Sequence, residues 1–381
     1  MNIHFFYHSL VSDWNHGNAH FLRGVVTELR ALGHTVTVYE AANNWSLKNL
    51  RAEHGEDPVR RFHEAYPGLE SVRYDPATLD LDEALAEADL VLVHEWNTPA
   101  LVGRVGEARR QHGFVSLFHD THHRIVTNRE AMRSYDLSGY DGVLAYGRVI
   151  SRLYLAEGLA KRAWTWHEAA DTRRFRPLEP SACDGDVVWV GNWGDGERTE
   201  ELMEFLLRPV KALGLKARVH GVRYPEEARA ALADAGIEYA GWLPNFDVPE
   251  VFSRFKLTLH VPRRPYVKAL PGIPTIRPFE ALACGLPLVC APWEDTEGLF
   301  RAGDYRLARD GRDMTRQLEE LLGDESVRRE CARNGLESIR SRHTCAHRVG
   351  ELMTIFHEIA SGRPKRRASR RTAALDGRIP V

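Results

Sequence analysis

PGIPTIRPFEALACGLPLVCAP, residues 271–292, is the stretch on which the reading of this chain turns. Pro278 stands where a helix begins and Gly285 where it stops, and the apolar run LPLVCA that follows has the composition of a buried strand. The first amides of such a helix lack intrahelical partners, and its positive end faces the loop Gly272–Thr275. Free N–H groups, the dipole and a loop relieved of bulk by Gly272 make a place for phosphate oxygens. Glu280, expected in the first turn, then accepts hydrogen bonds from ribose hydroxyls. Gly272, Ile273, Pro274, Thr275 and Glu280 thus outline a nucleotide-diphosphate pocket. The same residues also fit a plain tight turn with Glu280 as partner to the helix dipole.

Working outward, strands and helices alternate. MNIHFFYH, HTVTVYEA, LVLVHE, FVSLFHD and YDGVLAYG are expected strands of the N-terminal half, separated by helices such as HGNAHFLRGVVTELRALGH. DVVWVGN, KARVHG, IEYAGW and KLTLHV continue the pattern in the C-terminal half, with ERTEELMEFLLRPVKALG and EEARAALADAG as helices. Nearly continuous apolar strands between helices predict parallel sheets covered on both faces. The expected class is α/β, with two Rossmann-like domains facing across a cleft. The first spans 1–168. The charged, aperiodic AADTRRFRPLEPSA, 169–182, is the linker, and the second domain spans 183–343. A long helix at 344–361 and a basic tail at 362–381 follow. In sheets of this kind, ligands sit at the carboxyl ends of the strands.

Bulk composition narrows the class. The 381 residues are 43% hydrophobic and 27% charged with a net charge of -2, which gives no footprint for nucleic acid. The five cysteines form no CxxC pair and are expected as reduced core thiols of a cytoplasmic protein. IHFF is too short, and lacks the basic flank, for a secretory signal, and no window approaches a membrane span. The basic tail reads as a solvated end, with weak contact to anionic lipid headgroups as the other option.

Three groups stand at expected strand ends. DWNHGNAH carries Asn15, His16, Gly17, Asn18 and His20 ahead of a helix, without the GxGxxG of a dinucleotide fingerprint. LFHDTHHR places His119, Asp120, His122 and His123 after a strand. These are zinc-type ligands, yet no second cluster accompanies them, so a sugar or acceptor contact is preferred to a metal site. His119 and Asp120 also suit mutual orientation for proton transfer. VWVGNWGDGER offers Gly191, Asn192 and Arg198 at a glycine-rich turn into a helix, a phosphate-side device. Arg263, Arg264 and Lys268 precede the 272–275 loop and are further candidates to neutralise a diphosphate. The DxD patterns at 80–82 and 184–186 read as turn and cap residues.

Together these residues resemble the GT-B glycosyltransferases of the group-1 type, which include the CgeB-like proteins. ADTRRFRP is similar to the family's inter-domain VDxxRFxP at Asp171, Arg174, Phe175 and Pro177. GWLPNFDVPEVFSRFKLTLH, 241–260, with Asn245, looks like the stretch near the nucleotide base, and RPFEALACGLPLV is the closest match. The resemblance puts Glu280 on the ribose of a sugar nucleotide and folds the last helix back onto the N-terminal domain. It implies a metal-independent transferase without a separate cofactor, moving a sugar to an unknown acceptor with a retaining outcome. His119, Asp120 and His16 are its catalytic candidates. Gly17, Gly191, Asn192, Arg198, Asn245, Lys268, residues 272–275 and Glu280 bind the donor. An epimerase of the same fold and a non-catalytic sugar-nucleotide-binding protein are the alternatives. Retaining members often carry another glutamate eight positions before Glu280, where this chain has Gly272.

Overall fold

The computed structural model describes residues 1–179 and 182–362. Two parallel sheets organise them. The first contains β1 (Asn2–Phe6), β2 (Thr35–Ala41), β3 (Ser71–Tyr74), β4 (Leu90–His94), β5 (Val115–Asp120), β6 (Gly142–Ala145) and β7 (Ala163–Thr165), in the spatial order β3-β2-β1-β4-β5-β6-β7. The second contains β8 (Gly185–Val190), β9 (Ala217–His220), β10 (Ile237–Tyr239), β11 (Phe255–His260), β12 (Leu288–Cys290) and β13 (Arg306–Leu307), in the order β10-β9-β8-β11-β12-β13. The order reverses between β1 and β4 in one sheet and between β8 and β11 in the other, the arrangement of the doubly wound fold. The expected pair of Rossmann-like sheets is present.

Hydrophobicity explains why the central strands are central. Every residue of β4 and β5 is buried, as it must be when helices cover both faces. Among the described residues three apolar clusters form the core, and the largest runs from the first sheet through Trp166 and Phe175 into the second. Sequence patterning passed over β3, β7 and the helices Trp45–His54, Asp57–Ala65 and Pro99–His112. The helix expected over 197–214 is interrupted by a π-helical turn, Met203–Leu207, just before Pro209.

The helix Cys345–Ser361 packs along the helix Ala19–Ala31 of the first sheet. Gly24 permits the approach, because a side-chain carbon there would collide with Cys345 and Asp171. Trp166 Nε1 donates to the Arg348 carbonyl at 2.8 Å, and Thr344 bridges to Ala170. Among the described residues no helix is long and apolar enough to cross a membrane. The tail beyond Gly362, with its lipid contact, lies outside the described residues.

Candidate active site

The carboxyl ends of both sheets open onto one cleft, so both strand-order reversals supply residues to it. From the first sheet come the segment after β1 (His8 to Asn18), Trp96 after β4, and Thr121–His123 after β5. Opposite them lie Val190–Asn192 after β8, Gly221–Arg223 after β9, Pro262 and Arg263 after β11, and Thr275–Arg277 at a helix start. The enclosed volume is about 770 Å³, within the range of small-ligand sites.

The second sheet's wall is cationic. Arg198 donates from Nη2 to the Asn192 carbonyl at 2.6 Å and to Asn192 Oδ1 at 2.9 Å, and from Nη1 to the Val261 carbonyl at 3.1 Å. Its guanidinium also lies over the Trp189 ring. Arg263 donates to Glu197 Oε2 at 2.7 Å and to the same Asn192 Oδ1 at 3.0 Å. Arg277 is held by Glu280. Three guanidiniums are therefore fixed from behind while lining the same cavity. Burial, then the neighbouring Arg263, pulls Arg198 down to about 10, so it remains a cation at neutral pH.

The helix Ile276–Ala283, which carries Arg277, begins at the same cleft. Its first residues, Ile276 and Arg277, have amides without intrahelical partners, and Pro278 brings none. Thr275, the cap, holds φ 60° and ψ -176°. That backbone region is essentially reserved for glycine, so its occupation by threonine at the cleft is strained.

Glu280 is deeper than its sequence position suggests. It is the fifth helical residue, not a first-turn one, and its side chain is wholly inaccessible. Oε1 accepts from Asn245 Nδ2 at 2.7 Å and lies 3.2 Å from His20 Nδ1 across the domain boundary, and Oε2 takes Arg277. Burial raises its pKa, opposed by Arg277 and Asn245. Glu280 is thus the anchor of two cleft residues, Asn245 and Arg277, and is itself off the cleft surface.

Other expected site residues separate similarly. Gly17, His16, Gly191, Asn192, Arg198, Asn245 and Thr275 line the cleft. Gly272, Ile273 and Pro274 do not. They are buried where the loop meets the first domain, with Ile273 packed against Gly147. Gly272 has φ 91°, and a side-chain carbon there would lie 2.6 Å from Thr296 Oγ1 and 2.9 Å from Glu297 Cγ. The Glu297 carboxylate accepts from the Arg148 amide at 2.6 Å and His167 Nε2 at 2.9 Å, clasping the two halves together. The amides of Gly272 and Gly191 are also spoken for, by the carbonyls of Glu294 and His220. Lys268 is exposed on the outer side of a short helix, away from the cleft lining.

His119 and Asp120 are corrected as well. Both are fully buried within β5. His119 Nδ1 pairs with the Tyr7 hydroxyl, and Asp120 accepts from the Tyr154 hydroxyl at 2.7 Å and the His122 amide at 2.9 Å. The strand is still paired to β6 at these residues, so the cleft begins only at Thr121. Among the described residues no group of three or more His, Cys, Asp or Glu side chains is placed to hold a metal ion. The histidines that do line the cleft are kept neutral by burial: His8 falls to about 4, His260 to about 3 and His122 to about 2.

The sequence reading missed Arg277 although it stands beside Pro278 in the opening stretch. It also missed Glu168, in the segment HEAAD, and the tryptophans Trp45, Trp96 and Trp242 of the lining. A basic residue at a helix start was the available signal for Arg277; nothing local distinguishes Glu168.

Residues 198–354 match the family model described as glycosyl transferase-like. No curated protein matches the chain. Among solved structures, a sucrose-phosphate synthase from Thermosynechococcus elongatus is similar at TM-score 0.66 and 13% identity, covering 95% of this chain and 100% of that one. HepE from Anabaena, in complex with UDP and glucose, gives TM-score 0.65 and 15% identity over 94% of this chain and 100% of its own. The fold is GT-B. An alpha-glucosyltransferase in complex with UDP and a 13-mer DNA shares it, at TM-score 0.64 and 13% identity over 94% of this chain and 99% of that one. The family match falls on the part of this GT-B molecule that carries Arg198, Arg263, Arg277 and Glu280.

Proposed function

We propose that the protein transfers a sugar from a nucleoside-diphosphate sugar to an acceptor held against the first domain. The observation that carries this is that Arg198, Arg263 and Arg277 line the same cleft between two sheet ends as Thr275, the strained start of a helix. Charge develops on the leaving diphosphate in such a reaction, and fixed guanidiniums and helix amides stabilise it without reorganisation. These cations perform the task assigned to a metal ion elsewhere, which supports metal-independent transfer. Asn245, whose amide is set by Glu280, lines the cleft together with Trp242, and we assign the pair to the nucleoside. UDP in HepE and in the alpha-glucosyltransferase complex favours a uridine donor. Gly272 has no room for the second carboxylate of many retaining members, so a retaining outcome has to run without it. An alternative base for an inverting course is His16, at the cleft and neutral because burial and the nearby His8 and His94 hold its pKa well below the usual range.

Calorimetric titration with UDP and GDP tests the donor site. The wild type is expected to bind one of them after exhaustive treatment with EDTA. Glu280→Ala should weaken that binding about 10- to 100-fold, because one charge-assisted contact at Arg277 and one at Asn245 lose their anchor. Unchanged affinity in the variant removes Glu280 from the site. Failure of the wild type to bind any nucleoside diphosphate overturns the reading altogether, and conversion of donor without acceptor redirects it to epimerisation.

A further inference from the structure

Glu168 has no part in the diphosphate site, yet it is 5% exposed and lines the cleft. It lies on the strand-to-bridge connection between β7 and Ala170. Arg348, from the returning helix, donates from Nε to the carbonyls of His167 at 3.0 Å and Glu168 at 3.4 Å, so the backbone here is pinned. Asn18 Nδ2 donates to Glu168 Oε1 at 3.2 Å. The other carboxyl oxygen has no hydrogen-bond partner among the described residues. Tyr146 and Tyr266, joined hydroxyl to hydroxyl at 2.6 Å, line the same region, as do Thr275 and Arg277 across the domain boundary.

Glu168 is nearly buried, but its unpartnered oxygen is reachable from the ligand-sized cleft, where it is placed to take a group of a bound molecule. An ionised carboxylate would repel phosphate, and in the donor reading above the three guanidiniums are the groups that take the phosphates. Burial, with Glu280 and Glu95 nearby, pushes Glu168 up to about 8, so near neutrality it is mostly a neutral acid that can both donate and accept. Hydroxyl groups match this chemistry, being donors and acceptors without charge. What lies next to a diphosphate, on the side facing the first domain, is the sugar attached to it. Building on the donor reading above, we propose that Glu168, oriented by Asn18, binds the hydroxyls of the transferred sugar through its free carboxyl oxygen.

The test compares nucleoside diphosphate with nucleotide sugar by calorimetry, using UDP and GDP against UDP-glucose, UDP-galactose, UDP-N-acetylglucosamine and GDP-mannose. Glu168→Ala is expected to raise the Kd of the preferred nucleotide sugar about tenfold while that of the parent diphosphate moves less than twofold. Glu168→Gln, which keeps shape and one acceptor, should recover part of the loss, and Asn18→Ala should reproduce part of it. Saturation-transfer NMR should show the sugar-ring protons, not the base protons, losing contact in Glu168→Ala. Equal weakening of both ligands, or of neither, overturns the assignment while leaving the donor site standing. Absence of nucleotide binding by the wild type removes both.

Discussion

At the scale of single residues, the site is governed by what stands behind the cleft wall. Asn192 presents its carbonyl to Arg198 and its side-chain oxygen to both Arg198 and Arg263, and Glu280 does the same service for Arg277 and Asn245. Without these acceptors the three guanidiniums would repel one another and splay. Sequence singled out Glu280 and Arg198 because glutamate after a proline-led helix start and arginine after a glycine turn are chemically informative. It could not tell how deep Glu280 lies, since depth depends on His20 arriving from the other domain. Thr275 yields a separate prediction. Its backbone conformation costs a non-glycine residue about 1–3 kcal/mol. Thr275→Gly relieves that strain and gives back about 0.4–1 kcal/mol through greater freedom of the unfolded chain. Net stabilisation of about 1 kcal/mol is expected, seen as a rise of about 1–2 °C in Tm by differential scanning calorimetry. A lowered Tm would show that the threonine side chain contributes more than the strain costs.

At the scale of elements, strand ends and loops decide which chemically suggestive residues reach the cleft. The run FVSLFHD was legible as a buried strand, but its last paired residue was not. β5 continues through Asp120, which turns His119 and Asp120 into core groups and leaves Thr121, His122 and His123 as the lining. Period-2 patterning has no means of seeing this when all six strand residues are buried. Glu168 escaped for the opposite reason: a short irregular connection has no periodicity to read. The 272–275 loop shows the same limit, since glycine there reflects contact with Glu297, 25 positions away in sequence. Restoring a carboxylate by Gly272→Glu is therefore expected to harm. The substitution faces φ 91° and Thr296 at 2.6 Å, so destabilisation of about 2 kcal/mol or more is expected, measured by urea unfolding, with no gain in donor turnover. A variant as stable as the wild type and faster in turnover would contradict the packing account.

At the scale of the whole molecule, the two sheets enclose an unusual number of titratable groups, and their opposed shifts define a pH window. Burial lowers His8 to about 4 and His20, His260 and His343 to about 3, so the unfolded chain, with histidines near ~6.5, binds more protons than the folded one below that pH. These groups make stability rise as pH increases toward about 6.5. Burial also raises Glu95 and Asp120 to about 7 and Glu168 to about 8, so here the folded protein holds protons that the unfolded chain has released. Their contribution is fully present below the unfolded carboxyl values near ~4 and is lost as pH climbs through 7 and 8. Between pH 4 and 6.5 the two sets oppose each other, and the histidines prevail by number because His16, His94 and His119 are shifted the same way. Above 6.5 the histidines no longer titrate and the raised carboxyls set the slope, joined above about 8 by the thiols of Cys284, Cys290, Cys331 and Cys345, which burial also holds protonated in the folded protein. Tm measured from pH 5 to 9 in low-salt buffer should therefore climb to a maximum near pH 6.5 and go on falling through the alkaline side to pH 9. Glu95→Gln together with Asp120→Asn should flatten the alkaline fall while leaving the acid limb in place. A stability that keeps rising through pH 8 in the wild type would mean that these carboxyls are ionised in the folded protein, and that water reaches the polar layer behind the cleft.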